Sequence, residues 1–384
     1  MSTTEAAAAG MASGGDGRLR ELQEFDDTKT GVKGLVDSGI TSIPAIFHHP
    51  PDSLLLEVTK TMPTSMAIPV IDLSSARPEE VIDQVREAAE TVGFFQVVNH
   101  GVPGELLASM LAAVKRFNEQ PVEAKRPYYT RDPSRKIKFN SNFDLFQSSA
   151  ANWRDSITCL MAPEPPQLEE LPEAIRGVML EYGDAVMKLA LRMFELLSRS
   201  LGLDSDHLKD MGSTESLVVV SHYYPPCPEP HLTLGTSKHT DPAFLTVLLQ
   251  DAMCGLQVLT EQDGNVQGWT DVPPLPGALI INIGDMLQLV SNGRFRSVEH
   301  RVLANQSKDT PRISVASFFS AEYMKTPTRL YGPIPELTSS EGCNPPLYRS
   351  VTAREFIAHF RNKGLDSRHR LDYFKLEQDT PTPV

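Results

Sequence analysis

Three residues of this chain have the types and the spacing of a metal-binding site. His239 and Asp241 lie two positions apart in HisThrAsp, and His300 lies further along in SerValGluHisArgVal (297–302). Two imidazole nitrogens and one carboxylate on one face of a ferrous ion leave three coordination positions open, as in non-haem iron oxygenases. The three residues therefore point to chemistry with dioxygen rather than to hydrolysis.

The sequence around these residues matters because a His-X-Asp triplet alone is weak evidence. A chain with ten histidines produces one by chance about half the time. His239 and Asp241 precede the apolar run 244–249, and residues i and i+2 of an extended segment point to the same side. A histidine on a strand is ordinarily a hydrogen-bonded core residue. Within the extended run 296–302, however, His300 could supply a third ligand from a facing strand.

Arg312 and Ser314 in ArgIleSer distinguish an iron oxygenase from a zinc hydrolase, which could use the same three ligands. Alternation places both side chains on one face of a strand. An arginine that points into an apolar interior is costly unless it meets an anion. A dicarboxylate co-substrate needs an arginine fork and a hydroxyl at its far carboxylate, so this pair favours the oxygenase.

The composition argues against several classes of partner. The net charge is -13, with Lys and Arg scattered, which disfavours nucleic acid and anionic membranes. No apolar run approaches the roughly 18 to 20 residues that a membrane helix requires. The four cysteines form no CxxC pair, which fits a reducing cytoplasm. We expect a cytoplasmic monomer whose partner is a small molecule.

Helical and strand periodicities indicate the elements that surround these residues. Pro78 and Gly93 mark the two ends of the first helical pattern. From Leu217 onward, short β-branched runs alternate with turn residues, which is typical of a jelly roll. The predicted helices cover 81–92, 106–117, 173–201 and 353–361, and the predicted strands cover 68–73, 94–99, 217–224, 244–250, 255–259, 278–283, 296–304 and 312–319.

These patterns predict a mainly β fold with flanking helices, divided into four segments. Residues 2–17 are rich in Ala, Gly, Ser and Thr and lack the parts of a secretory signal, so we expect a disordered tail there. The four segments are a tail and linker (1–66), a helix-rich region (67–213), a β-core (214–322) and a C-terminal helical extension (323–384).

Eight ordered motifs between Ile68 and Leu365 resemble those of the plant 2-oxoglutarate and iron(II)-dependent dioxygenases. They are IleProValIleAspLeu (68–73), GlyPhePheGlnValValAsnHisGlyVal (93–102), TyrTyrProProCysProGluPro (223–230), HisThrAsp (239–241), GlyLeuGlnVal (255–258), AsnIleGlyAsp (282–285), SerValGluHisArgVal (297–302) and ArgIleSer (312–314). Eight motifs in one order make the resemblance highly specific.

Four further motifs resemble one branch of this family, the 1-aminocyclopropane-1-carboxylate oxidase homologues. That branch includes the grass DIBOA-glucoside dioxygenase of benzoxazinoid biosynthesis. The motifs are PheAspAspThrLysThrGlyValLysGlyLeuValAspSerGly (25–39), IleProAlaIlePheHisHisPro (43–50), AsnPheAspLeuPhe (142–146) and AsnTrpArgAsp (152–155). They do not decide between that enzyme and a sister with another substrate.

The resemblance implies a distorted double-stranded β-helix core and a complete set of reactants. His239, Asp241 and His300 would bind Fe(II) and form the catalytic centre. Tyr224, Arg312 and Ser314 would hold 2-oxoglutarate. Dioxygen would be the oxidant, ascorbate a reductant, and a plant metabolite would be hydroxylated while 2-oxoglutarate yields succinate and CO2.

The substrate side of the site is less constrained by sequence. His222 stands where the family usually has Asn, beside the expected co-substrate pocket. Phe318, on the face of Arg312, and Phe143 with Phe146, in a loop, are candidates for a substrate wall, although such aromatics are more often core. We expect an aromatic or heterocyclic substrate such as a benzoxazinoid glucoside. The alternatives are an ascorbate-dependent, ethylene-forming 1-aminocyclopropane-1-carboxylate oxidase and a non-catalytic metabolite-binding protein.

Overall fold

Two β-sheets form the centre of the computed structural model, which describes residues 17–54, 68–262, 265–322, 328–339, 344–363 and 370–377. The strands are β1 (Val70–Asp72), β2 (Phe94–Val98), β3 (Ile137–Asn140), β4 (Asp155–Ala162), β5 (Ser216–Tyr224), β6 (Leu234–His239), β7 (Leu245–Gln250), β8 (Leu256–Gln262), β9 (Asn265–Asp271), β10 (Leu279–Ile283), β11 (His300–Leu303), β12 (Arg312–Ser320), β13 (Leu330–Tyr331) and β14 (Val351–Thr352). The major sheet has the order β1-β2-β10-β7-β12-β5-β4-β3 and the minor sheet β6-β11-β8-β9, while β13 and β14 pair separately.

Helices brace the outside of the major sheet. They are α1 (17–27), α2 (Gly31–Asp37), α3 (Pro51–Leu54), α4 (Pro78–Thr91), α5 (Gly104–Glu119), α6 (Val122–Lys125), α7 (Arg176–Ser200), α8 (His207–Asp210), α9 (Asp285–Val290) and α10 (Ala353–Lys363). Helix α4 begins at Pro78 with two acidic residues in its first turn, which suit the helix dipole. It buries an apolar stripe in the core it shares with α5 and α7. The mainly β fold with flanking helices is confirmed.

The predicted helices are all present, but two predicted strands are shorter than expected: β1 covers only Val70–Asp72 of the predicted 68–73, and β11 covers only part of 296–304. β11 covers only His300–Leu303, because the amides of residues 296 and 297 bond to helices instead of to a strand. The Arg296 amide donates to Ala89 O of α4, and the Ser297 amide donates to Gln288 Oε1 of α9. The sequence patterns also did not indicate β3, β4, β6 and β9. None of the helices in the described part of the chain combines the length and the apolar character that crossing a bilayer requires.

The described part of the N-terminal segment, residues 17–54, packs against the body of the protein, where we expected a linker; the predicted disordered tail lies outside the described residues except for residue 17. Its apolar residues form a core cluster with residues of the 145–153 region. The buried members are Leu22, Phe25, Val32, Ile43, Ile46, Phe47, Leu145, Ala151, Trp153, Cys227 and Ala304. The buried Asp155 carboxylate accepts hydrogen bonds from the Val32 and Lys33 amides, each 2.8 Å long, at the start of α2. Burial raises the pKa of Asp155 to about 6.

The Phe47→Ala substitution should measure how strongly this segment is held. Phe47 is fully buried and meets the rings of Phe25 and Trp153 edge-on, at centroid distances of 5.3 and 5.0 Å. We expect a loss of about 3–5 kcal/mol in the free energy of unfolding. Urea denaturation would measure it. Leu19→Ala, at a site on α1 that is 56% exposed, is the control and should change stability by less than about 0.5 kcal/mol. Equal effects of the two substitutions would contradict a docked segment.

Candidate metal centre and co-substrate pocket

The structure brings His239, Asp241 and His300 together at one end of the minor sheet. His239 is the last residue of β6 and lies directly opposite His300 in the β6–β11 pair, and Asp241 lies in the turn that follows β6. Asp241 Oδ1 is 3.6 Å from His239 Nε2 and 3.7 Å from His300 Nε2. Among the described residues, only these three form a metal-binding group, with all three ligand atoms within 4.8 Å of one another.

Both imidazole rings are oriented by backbone carbonyl groups two residues earlier. His239 Nδ1 lies 2.8 Å from Ser237 O, and His300 Nδ1 lies 3.3 Å from Val298 O. A carbonyl oxygen only accepts, so each Nδ1 carries a proton, and Nε2 is the nitrogen of each ring that is placed to bind a metal ion. This outer hydrogen bond is the usual device that holds a metal-ligating histidine.

The Asp241 carboxylate is held by two neutral donors. Thr246 Oγ1 donates to Asp241 Oδ2 at 2.6 Å, and Asn282 Nδ2 donates to the same atom at 2.7 Å. Oδ1 is therefore the carboxylate oxygen that faces the two histidines. Burial by itself would raise the pKa of Asp241, but the positive charges that His300 and His239 carry when protonated, together with these two hydrogen bonds, bring it below its ordinary value. The site is thus built for an anionic carboxylate.

The turn that carries Asp241 is anchored to the start of α9. The Asp285 amide donates to Asp241 O at 2.7 Å, and the Thr240 hydroxyl donates to Asp285 Oδ2 at 2.9 Å. Position 284 must be glycine for this approach, because a Cβ there would overlap the carbonyl group of Ala243. The glycine of AsnIleGlyAsp therefore helps to position the carboxylate.

Arg312 and Ser314 lie on the inner face of β12, as alternation predicted. Arg312 is only 1% exposed, and its Nη2 donates to Gln250 Oε1 at 3.0 Å. Its Nη1 is 3.5 Å from Ser314 Oγ, and the guanidinium lies 5.0 Å from the ring centroid of Tyr224 on β5. No carboxylate of the described residues lies within 4 Å of it, and its buried Nε has no hydrogen-bond partner. A buried cation with spare donors fits the far carboxylate of a dicarboxylic acid.

His222 lies on β5 directly opposite Ser314 and lines the same interior space. Its Nδ1 is 2.8 Å from Ser156 Oγ of β4, and its ring centroid is 5.9 Å from that of Tyr224. Burial lowers the pKa of His222 well below its ordinary value, and the charges of Arg154 and Arg312 lower it further. The ring is therefore neutral at pH 7 and offers a hydrogen bond without a charge.

The three candidate aromatic residues for a substrate wall occupy different environments. Phe318 is half-buried on the inner face of β12 and lies directly opposite Thr246, the partner of Asp241. Phe143 and Phe146 are 51% and 37% exposed. Neither makes a ring contact with the triad histidines, and Phe146 instead lies beneath the Arg131 guanidinium, 5.4 Å away. Of the three, Phe318 is the one that strand pairing places opposite a residue bonded to Asp241.

Several residues of the site were not among those predicted from the sequence. Thr246 and Asn282 hold Asp241, and Gln250 binds Arg312. Asn282 lies in AsnIleGlyAsp and Arg154 in AsnTrpArgAsp, so two of the motifs contained a signal that was not used. Gln250 carries no signal in the sequence, because only the β7–β12 pairing places it beside Arg312.

Two protein-family models match most of the region that contains these strands and helices. Residues 215–321 match the 2OG-Fe(II) oxygenase superfamily, and residues 68–175 match the non-haem dioxygenase in morphine synthesis N-terminal model. The first match contains all three residues of the metal group and the Arg312 pocket.

Relatives from Arabidopsis thaliana match over nearly the whole chain. The 1-aminocyclopropane-1-carboxylate oxidase homolog 1 is 51% identical over 92% of this chain and 96% of its own length. Homolog 2 is also 51% identical, over 94% of this chain and 97% of its own length.

Solved structures share the fold. JOX2 in complex with 2OG, Fe and JA has a TM-score of 0.78 at 31% identity and covers 90% of this chain and 98% of its own. The dioxygenase for auxin oxidation in rice has a TM-score of 0.66 at 26% identity and covers 80% of this chain and 100% of its own. The core strands therefore form a double-stranded β-helix.

Proposed function

This chain belongs to the 2OG-Fe(II) oxygenase superfamily, and from that membership we propose that it hydroxylates a plant specialised metabolite. The family makes it a dioxygenase that depends on 2-oxoglutarate and iron(II). In the proposed reaction, 2-oxoglutarate is oxidatively decarboxylated to succinate and CO2. The observation that carries the proposal is the presence, in one interior, of an intact His-Asp-His group and of a buried Arg312 that has no carboxylate of the described residues within 4 Å.

We assign iron(II) to His239, Asp241 and His300. The donor set fits, because two imidazoles present Nε2 and one carboxylate presents Oδ1. When bound, iron(II) supplies the activation of dioxygen, which side chains alone cannot provide. The protein holds the ligand atoms in place through the backbone carbonyls behind the imidazoles and the two donors behind Asp241.

We assign the far carboxylate of 2-oxoglutarate to Arg312, Ser314 and Tyr224. The unpartnered Nε of Arg312 and the hydroxyl groups of the other two residues could bind the carboxylate oxygens. Burial of the guanidinium strengthens such a charged hydrogen bond, because little water competes for it. The keto-acid end would then extend toward the triad along the inner face of the major sheet.

The proposed substrate is an aromatic or heterocyclic compound, such as a benzoxazinoid glucoside. Phe318 supports this class, because it presents an apolar ring beside Thr246, on the triad side of the pocket. The rice relative is described as a dioxygenase for auxin oxidation, and JOX2 is in complex with JA, which support a small organic substrate. Cytoplasmic location, a monomeric state and ascorbate as reductant complete the proposal.

The alternative function is that of an ascorbate-dependent 1-aminocyclopropane-1-carboxylate oxidase. The Arabidopsis relatives are named as homologues of that oxidase, which is the reason to test this alternative. The two functions predict different products. Ethylene formed from 1-aminocyclopropane-1-carboxylate with ascorbate would identify the oxidase, and succinate formed from 2-oxoglutarate would identify the proposed enzyme.

An anaerobic titration tests the proposed function directly. Purified apoprotein is titrated with ferrous iron and then with 2-oxoglutarate, and the visible charge-transfer band between iron and the keto acid is recorded. A band that saturates supports both the metal and the co-substrate assignments. Iron binding without a band would favour the ascorbate-dependent oxidase. If neither ligand binds, the site assignment is wrong.

The His222→Ala substitution should weaken the binding of 2-oxoglutarate rather than the binding of the organic substrate. His222 lies opposite Ser314 and near Tyr224, so we place its ring on the co-substrate side of the pocket. Loss of one hydrogen bond costs about 0.5–1.5 kcal/mol, so the KM for 2-oxoglutarate should rise about 2- to 13-fold. His222→Asn should restore most of the loss, because the amide also donates and accepts. A rise confined to the KM for the organic substrate would place His222 on the other side.

A further inference from the structure

A second buried arginine, Arg154, lies at the same end of the pocket as Arg312. Arg154 is 4% exposed and immediately precedes β4. Ser156 of β4 lies directly opposite His222 of β5, so Arg154, two positions earlier, faces the same interior and falls opposite Tyr224. Arg312 lies opposite Tyr224 from the other side. The two arginines therefore flank one tyrosine on the inner face of the major sheet.

A chain of hydrogen bonds joins Arg154 to this tyrosine. Arg154 Nη1 donates to the Thr236 hydroxyl oxygen and lies 3.4 Å from Gly235 O, both on β6 of the minor sheet. The Thr236 hydroxyl oxygen is 3.2 Å from the Tyr224 hydroxyl oxygen. Thr236 is 5% and Tyr224 is 1% exposed, so little water reaches these bonds.

No described residue supplies a negative charge next to the Arg154 side chain. No carboxylate of the described residues lies within 4 Å of its guanidinium, and its buried Nε has no hydrogen-bond partner. The adjacent Asp155 points to the opposite face, where it binds the amides at the start of α2. A buried cation without a counter-ion is costly, so the site is incomplete until an anion binds.

We propose that Arg154 is a positioning residue for the far carboxylate of 2-oxoglutarate. Because Arg154 Nη1 donates to Thr236, the Thr236 hydroxyl proton is free to be donated to the Tyr224 oxygen. The Tyr224 proton can then point at the carboxylate that Arg312 binds. Arg154 also adds a second positive charge at the end of the pocket that receives a dianion. This inference rests on the proposed function, since it requires the Arg312 pocket to hold 2-oxoglutarate.

The test compares two keto acids and three proteins. Calorimetric dissociation constants are measured anaerobically with iron-loaded wild type, Arg154→Gln and Arg154→Lys, using 2-oxoglutarate and 2-oxopentanoate. 2-Oxopentanoate has the same chain length but lacks the far carboxylate. We expect Arg154→Gln to raise the dissociation constant of 2-oxoglutarate at least about ten-fold and that of 2-oxopentanoate less than about two-fold. Arg154→Lys should fall between wild type and Arg154→Gln, and iron affinity should be unchanged in all three.

An equal loss of affinity for both keto acids would overturn the inference, because it would show that Arg154 has a merely structural role. Unchanged affinity for 2-oxoglutarate with a raised KM for the organic substrate would overturn it in favour of a substrate subsite. Failure of the wild type to bind 2-oxoglutarate would instead refute the proposed function, and the inference with it. If Arg154→Gln does not fold, Thr236→Val breaks the same chain without removing a buried charge. Unchanged 2-oxoglutarate affinity in Thr236→Val would then count against the proposal.

Discussion

Asp241→Ala is expected to abolish turnover and to weaken ferrous iron binding by at least about 100-fold. Asp241 supplies the single negative charge of the metal group, and its Oδ1 lies within 3.7 Å of both imidazole Nε2 atoms. Loss of residues that merely support a metal ligand already costs roughly 10- to 100-fold in affinity, so loss of a ligand should cost more. Anaerobic equilibrium dialysis against ferrous iron measures the affinity, and succinate formation measures the turnover.

Two further substitutions calibrate this result. Thr246→Val removes one of the two donors to Asp241 Oδ2 and should weaken the binding of ferrous iron by about ten-fold, with some activity retained. Asp204→Ala removes an exposed carboxylate outside the site and should change neither quantity. Full activity of an iron-loaded Asp241→Ala protein would refute the assignment of the metal group.

Arg312→Ala is expected to raise the KM for 2-oxoglutarate about 10- to 150-fold while it changes the KM for the organic substrate less than about three-fold. A hydrogen bond to a charged group contributes about 1.5–3 kcal/mol, and 1.4 kcal/mol corresponds to a factor of ten. The guanidinium is buried, and no carboxylate of the described residues lies within 4 Å of it, so little else competes for its donors. Steady-state kinetics with each substrate varied in turn would measure both constants.

Arg312→Lys serves as the matched control for charge. Lysine keeps the positive charge but cannot offer a planar fork of donors. The KM of Arg312→Lys for 2-oxoglutarate should therefore fall between those of wild type and Arg312→Ala. Iron affinity should be equal in all three proteins, because Arg312 makes no contact with the metal group. Equal increases in both KM values would move Arg312 out of the co-substrate pocket.

Local periodicity predicted the parts of the site that lie close together in the sequence. His239 with Asp241, and Arg312 with Ser314, are each two residues apart, and alternation along extended backbone was enough to place each pair on one face. The predicted helices correspond to α4, α5, α7 and α10 for a similar reason, because one apolar stripe marks each of them.

The supporting residues depend on pairings between strands that are distant in sequence. Thr246 and Asn282 meet Asp241 because β7 and β10 are neighbours, and Arg154 meets Thr236 because the two sheets face each other. No periodicity within one strand contains that information. The docking of residues 17–54 was missed because their buried side chains pack against residues distant in the sequence, chiefly in the 145–153 region, and no local pattern shows that contact.

The two backbone carbonyls that orient the metal-binding imidazoles have a consequence for substitutions at their positions. Every residue type possesses a carbonyl oxygen, so the hydrogen bonds from His239 to position 237 and from His300 to position 298 do not depend on which side chains stand there. A substitution at either position leaves the carbonyl acceptor in place, although the Ser237 hydroxyl has a separate partner, Asn152 Oδ1. The hydrogen bonds that orient the two histidines are therefore less sensitive to the type of the neighbouring residue than the side-chain hydrogen bonds that hold Asp241.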